Sequence, residues 1–328
     1  MIYVGSPVGF ITGGPMLAHQ LCRELIDNGI DAKMYYHKRD SIVASWDDIG
    51  NSPYARYGVD AARSLDEIDR EGNVVLLSEI AIPFRKAFHR AKVHIWWMSV
   101  NNYLYQLVGY EDRLSEEIPF FTSPDVYHFV QSRYAYDFLI KDMMVAENQI
   151  AYLTDYTNEK YLEKSIKNSF DKTERDNTVY YNYKKKGEEL PKIMESNPHI
   201  NWKPIKDMTE DQVIDAFHHG KIYIDLGTHP GKDRLPREAA ICGLCVITNM
   251  VGAAANEEDI PIPKEYKFSA PLDQSKEIVN LIEDIFKNFD KRSKDFDNYR
   301  DIIRGEKARF SKEAVNAVKM MYGGANVR

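Results

Sequence analysis

Short apolar runs alternate with amphipathic segments from the first residue onward. "MIYVG" (Met1–Gly5) has the length and apolarity of a buried strand, and the loop "SPVGFITGGP" follows it. In "MLAHQLCRELIDNG", Leu17, Leu21, Leu25 and Ile26 fall on one face at helical spacing, and Gly29 suits the stop. "DAKMYYH" reads as a second strand. Strand, loop, helix, strand is the opening of a parallel sheet. The pattern continues with a strand over Asn73–Ile80, ending in polar Ser78 and Glu79, and a helix over Phe84–Arg90. Next come a strand "KVHIWWMSV" that runs to Asn101 and Asn102, a strand over Val126–Ser132 and a helix "RYAYDFLIKDMM".

Asn168–Asn177 ("NSFDKTERDN") is charged and has no apolar period, so it reads as a linker. A second series follows it. "TVYYNY", "INWKPI" and "KIYIDLG" are strands, and "MTEDQVIDAFHHG" is a helix with Thr209 and Gln212 at the spacing of a capping box. "SKEIVNLIEDIFKNF" turns Ile278, Leu281, Ile282 and Ile285 inward, and a last helix runs from Ser311 to Met321. The expected division is residues 1–168, residues 169–310 and a C-terminal helix over 311–328. At 328 residues, two domains of about 150 each is the natural expectation.

Charge narrows the function classes. Forty-three Lys and Arg stand against 50 Asp and Glu, a net charge of −7, which argues against nucleic acid as a partner because a phosphate backbone demands a basic face. The N-terminus lacks the basic and long apolar regions of a secretory signal, and no run approaches the ~18 apolar residues of a transmembrane helix, so a cytoplasmic location is expected. Three cysteines are too few for a disulfide scaffold. Cys242 and Cys245 lie at a helix end and a strand start, where no helix N-terminus lowers a thiol pKa, and they read as small core residues. GxGxxG, GxxxxGK[ST], GxSxG and HExxH motifs are absent from the sites where their chemistry would need them. Asp47-Asp48 follows no apolar strand, and His218 and His219 are adjacent on a helix and face apart, so neither pair reads as a metal site.

The richest stretch is "DLGTHPGKDRLPREAAICGLCVIT" (Asp225–Thr248), a strand end, a Gly/Pro loop, a helix and a strand. Lys232, Arg234 and Arg237 fall within six residues, beside His229 and Asp233. Pro236 suits the first turn of a helix predicted over Pro236–Cys242, and Gly231 permits a ligand to approach the backbone. A loop after a strand lies at the carboxyl edge of an open sheet, where ligands bind, and the helix N-terminus adds free N–H groups and partial positive charge. The stretch therefore reads as a phosphate or diphosphate site, against the alternative of a solvated loop with internal Asp233–Arg pairs. Glu238 has a matching pair of readings, a ribose ligand or dipole compensation. Asn182 and the run Lys184-Lys185-Lys186 end another strand and can converge on the same ligand. In the first half, Gly13-Gly14 opens a helix, and His94, Glu79, Asn101 and Asp155 sit near strand ends as candidate bases or acceptor contacts, or as satisfied structural polar groups.

Together these features resemble the GT-B glycosyltransferases. "GGPMLAHQLCRELIDNGIDAKMYY" looks like the family's N-terminal loop and helix, and "VYYNYKKKG" like the first strand of its nucleotide-binding domain. "REAAICGLCVIT" is similar to the "EA-x-A-x-G-x-P-V-V" segment of the GT4-like (glycosyltransferase group 1) branch. The resemblance implies an α/β fold of two Rossmann-like domains facing each other across a cleft. It implies a donor nucleotide sugar on the second domain, with no metal and no cofactor besides that donor, and a glycan or lipid-linked acceptor over the first. Lys185 and Arg234, with Lys184, Lys186, Lys232 and Arg237, would meet the diphosphate. Glu238 would hold the ribose, Gly13 and Gly14 would face the acceptor side, and His94 would be the candidate base. The final helix would cross back onto the first domain, and the setting would be surface-polysaccharide or glycolipid synthesis at the inner membrane face. The first of the family's two glutamates falls on Pro230 here, with His229, Gly231, Lys232 and Asp233 around it, which leaves the donor sugar and the stereochemistry open. A nucleotide-sugar epimerase of the same fold and a non-catalytic nucleotide-sugar sensor are the alternatives.

Overall fold

The computed structural model describes residues 1–38, 41–43, 54–108, 113–167 and 174–323. Asp47, Asp48 and most of the expected linker lie outside them. Contacts divide the chain into Met1–Asp155 with Ala308–Arg328, and Tyr156–Lys307. The Glu159–Lys167 helix thus groups with the second unit, and the Glu306–Met321 helix, which starts ahead of Ser311, begins in the second unit and continues in the first.

In the first unit six strands form one sheet in the order β2-β1-β3-β4-β5-β6, every neighbouring pair parallel. They are β1 (Ile2–Pro7), β2 (Ala32–His37), β3 (Val74–Ser78), β4 (Lys92–Trp97), β5 (His128–Val130) and β6 (Ile150–Tyr152). Val74, Val75, Leu76 and Leu77 are all buried, because helices cover both faces of a parallel sheet and leave no polar alternation.

The second unit holds β7 (Thr178–Asn182), β8 (Asn201–Ile205), β9 (Ile222–Asp225), β10 (Cys245–Asn249) and β11 (Lys267–Phe268), in the order β11-β10-β9-β7-β8, again parallel throughout. β7 is first in sequence yet lies inside the sheet, between β8 and β9. Its chain departs to one side and returns on the other, so β7/β9 is the switch point, and the loops after these strands border a crevice there. β8 is an edge strand, and Pro204 is tolerated on it.

Local chemistry accounts for the element ends. Gly29 (φ 75°) and Gly243 (φ 98°) take the left-handed backbone just beyond their helices. The capping box forms as expected: Gln212 N–H donates to Thr209 Oγ1 (3.3 Å) and Thr209 N–H to Gln212 Oε1 (2.8 Å). The expected α-helix over Phe84–Arg90 is instead a 3-10 segment, Glu79–Ala87, with Pro83 inside it. Proline has no amide to give an α-helical ladder, and the tighter turn results. The helix expected over Pro236–Cys242 spans Arg234–Ile241, which keeps Pro236 in the first turn. Among the described residues, no helix is long and apolar enough to cross a membrane.

Candidate functional site

Three loops meet at the carboxyl edge of the second sheet with their backbones in contact. A Cβ on Gly227 would stand 1.8 Å from the Lys185 carbonyl oxygen, one on Gly187 2.6 Å from that of Leu226, and one on Gly252 2.1 Å from that of His229. Gly187 and Gly252 also have positive φ (66° and 57°). Only glycine fits at these positions, so the glycines fix the β7 and β9 loops side by side at the switch point. Ala253 N–H donates to the His229 carbonyl (2.9 Å) and Asn249 Nδ2 to that of Gly227 (2.8 Å), tying in the loop after β10.

Side chains from two of these loops join here. Lys185, half-buried, donates from Nζ to Asp233 Oδ1 at 2.6 Å. Asp233 Oδ2 stands 3.1 Å from His229 Nδ1, off hydrogen-bond alignment. His229 Nε2 faces Asp225, 3.4 Å from its carbonyl and 3.8 Å from Oδ1. Asp225 accepts from the Tyr223 hydroxyl (2.9 Å) and the Gly227 N–H (3.2 Å). Burial alone would lower the His229 pKa, but Asp233 and Asp225 raise it above its ordinary value. Burial and the Asp233 charge push the Asp225 carboxyl up. Burial works on Asp233 in the same sense, but His229 and Lys185 outweigh it and hold that carboxyl down.

Asp233 is also the N-cap of the Arg234–Ile241 helix, yet its side chain makes no capping hydrogen bond. An N-cap aspartate ordinarily accepts from the first-turn amides. Here the carboxylate is turned to Lys185 and His229, and the helix N-terminus keeps its partial positive charge.

Other predicted residues point elsewhere. Lys232 and Arg237, expected to face an anion, are buried and turn onto Glu306: Lys232 Nζ donates to Oε1 and Arg237 Nη1 to Oε2, each at 3.1 Å. Thr157 adds its N–H and hydroxyl to Oε2, both at 2.9 Å. Burial would raise the Glu306 carboxyl, but Arg237, Lys232 and Thr157 hold it down at about 2. Glu238 is buried, which raises its pKa, and Tyr161 hydrogen-bonds to it. Lys184 is exposed, Lys186 lies 4.8 Å from the centre of the Tyr183 ring, and Asn182 accepts from the Lys184 N–H (3.1 Å). Arg234 is partly exposed at the helix start, and Gly231 is buried in the same loop.

In the first unit, Gly13 and Gly14 open the Gly13–Asp27 helix, whose N-cap Thr12 makes no side-chain capping bond. His94, a candidate base, is wholly buried. Tyr127 N–H donates to its Nδ1 (3.2 Å), and burial lowers its pKa to about 4. It is a neutral core imidazole, facing no solvent. Asn101 accepts from the Tyr134 hydroxyl (3.1 Å), and Asp155 is buried. Glu79, at the end of β3, accepts from Met98 N–H (3.0 Å), and burial raises it to about 7.

Among the described residues, Asp225, His229 and Asp233 offer ligand atoms within 4.8 Å of one another. Geometry favours a bridge over a chelate. The two ring nitrogens of His229 face different aspartates, and the Lys185 ammonium already supplies a cation to Asp233. Cys242 and Cys245 are buried and not joined in a disulfide, and burial pushes the Cys245 thiol up to about 12.

Asp225 and Glu306 escaped the sequence reading as site residues. Asp225 carried a signal, since it is the last residue of a strand before a glycine loop. Glu306 carried none, because its partners are 69 and 74 positions away.

No family model matches the chain, and no curated protein matches it. Solved structures do. Sucrose-phosphate synthase from Thermosynechococcus elongatus aligns with a TM-score of 0.67 over 99% of both chains at 13% identity. A glycosyltransferase from Rickettsia africae aligns at 0.65 over 99% of both chains, with 10% identity. HepE from Anabaena, solved with UDP-glucose, aligns at 0.63 over 97% of this chain and 99% of its own, also with 10% identity. The α/β fold with two parallel sheets is that of the GT-B glycosyltransferases.

Proposed function

We propose that this chain is a glycosyltransferase that takes its sugar from a nucleoside-diphosphate donor bound on the second unit. One observation carries the reading: the β7 and β9 loops are locked together at the switch point, with Lys185 beside an uncapped helix N-terminus. Such a place suits a diphosphate, because fixed cations and backbone amides neutralise charge as the leaving group departs. Lys185 and Arg234 stabilise that group, Lys184 and Lys186 stand nearby, and Glu238 holds the ribose once Tyr161 yields it. Lys232 and Arg237 act from behind as part of the buried Glu306 network. The chemistry needs no metal. The acceptor is a glycan or lipid-linked glycan, consistent with surface-polysaccharide or glycolipid synthesis. Support comes from the fold shared with the solved glycosyltransferases, among them one bound to UDP-glucose.

The close set of acid and base groups at Asp225, His229 and Asp233 favours a second reading, a nucleotide-sugar epimerase. Incubation with a panel of nucleotide sugars separates the two. Slow release of free nucleotide without an acceptor is the transferase result. Conversion of the sugar with nucleotide retained is the epimerase result. Binding of a nucleotide sugar with neither outcome would leave only a sensor.

A further inference from the structure

We infer that Asp233, backed by His229 and Asp225, is a positioning residue that holds the Lys185 ammonium at the donor site. The inference rests on the reading of Lys185 as a diphosphate ligand and adds the device that aims it.

Three observations converge. First, Asp233 occupies an N-cap position but forgoes the capping bond that an aspartate there ordinarily makes. Its carboxylate goes to Lys185 instead, at 2.6 Å. Second, the other oxygen of the carboxylate stands 3.1 Å from Nδ1 of His229, which is wholly buried and lies between Asp233 and Asp225. Asp225 is fixed in turn by the Tyr223 hydroxyl and the Gly227 N–H. The row therefore starts at the end of β9, on a rigid strand, and ends on a lysine from the loop after β7. Third, the lysine is not consumed by the contact. Its side chain is 36% exposed while that of Asp233 is 17% exposed, so the ammonium keeps a solvent-facing side. An ammonium has three N–H donors, and one carboxylate oxygen takes only one of them.

A free lysine on a loop loses much rotamer freedom when it binds a phosphate. Holding it beforehand removes that cost from binding and from the transition state. Asp233 also moderates the positive charge between turnovers, and its carboxylate does not cap the helix that begins beside it.

The test is a double-mutant cycle on the full chain, read by calorimetric titration with UDP, ADP and GDP, taking the tightest binder. Lys185→Ala and Asp233→Asn should each weaken binding by about tenfold. The double variant should be no weaker than either single one, because both changes remove the same aimed ammonium. Independent, multiplying losses would overturn the inference, since they would mean that Asp233 acts through general fold integrity. If Lys185→Ala weakens binding and Asp233→Asn does not, the inference fails and the donor-site reading survives. If Lys185→Ala leaves binding unchanged, the donor-site reading fails and takes the inference with it. Should Asp233→Asn lose its cooperative thermal transition, His229→Gln replaces it in the same cycle, with the same outcomes.

Discussion

Lys232 and Arg237 look in sequence like Lys185 and Arg234, cations in a loop after a strand or at the start of the helix that follows it. Burial separates their roles. A guanidinium with no exposed surface must be neutralised within the protein, and Glu306 does this for both cations at once. Removing the carboxylate leaves two buried charges unpaired, so Glu306→Gln should cost about 3–5 kcal/mol in chemical denaturation. The pH dependence has a definite sign. The folded carboxyl, at about 2, lies below its ordinary 4.5, so its contribution is full above the ordinary value and fades as pH falls toward the folded one. The stability gap between wild type and Glu306→Gln should therefore narrow as pH is lowered from about 5 to about 3. A constant gap would mean that Glu306 is not held as a carboxylate. The sequence made these cations visible but hid their partner, because nothing local to residue 306 refers to residues 232 and 237. His94 shows the converse: its place on a strand was legible, while its complete burial depends on packing from distant elements.

Among the elements, the buried strands were readable because apolar runs of strand length leave little ambiguity, and the helices with clean apolar faces were readable for the same reason. The Val100–Gln106 and Arg113–Phe121 helices were not read. The first is short and begins in what looks like a continuing strand, and the second contains Pro119, which reads as a break. The capping box of the Glu210–His219 helix was legible from two residues, and Thr209→Ala should lower stability by about 1 kcal/mol in urea titration. The junction of the loops makes a sharper prediction. Gly227→Ala places a methyl group 1.8 Å from the Lys185 carbonyl, so the β7 loop must move. Nucleotide affinity should fall by about tenfold or more, well beyond what one added methyl costs at an open position. Retained affinity would show that the two loops need not be locked for binding.

For the whole molecule, alternating strands and helices sufficed to indicate two α/β halves, and the segments "VYYNYKKKG" and "REAAICGLCVIT" carried the GT-B likeness. Strand order was not readable, since parallel strands pair through long crossovers that leave no local mark. Only the order β11-β10-β9-β7-β8 identifies the β7/β9 crevice and explains why two separate basic loops face one place. If fixed cations and helix amides do the work proposed, chelation with EDTA should leave both nucleotide affinity and donor hydrolysis unchanged. A loss restored by a divalent ion would move the role to Asp225, His229 and Asp233. The central claim is that the second unit holds a nucleoside diphosphate through Lys185 and Arg234. Its most direct test is calorimetric titration of wild type, Lys185→Ala and Arg234→Ala with UDP, ADP and GDP, alongside the matching nucleosides. The account predicts that wild type binds at least one diphosphate far more tightly than its nucleoside and that each substitution removes most of that advantage. Equal affinity for diphosphate and nucleoside, or an advantage that survives both substitutions, would contradict it.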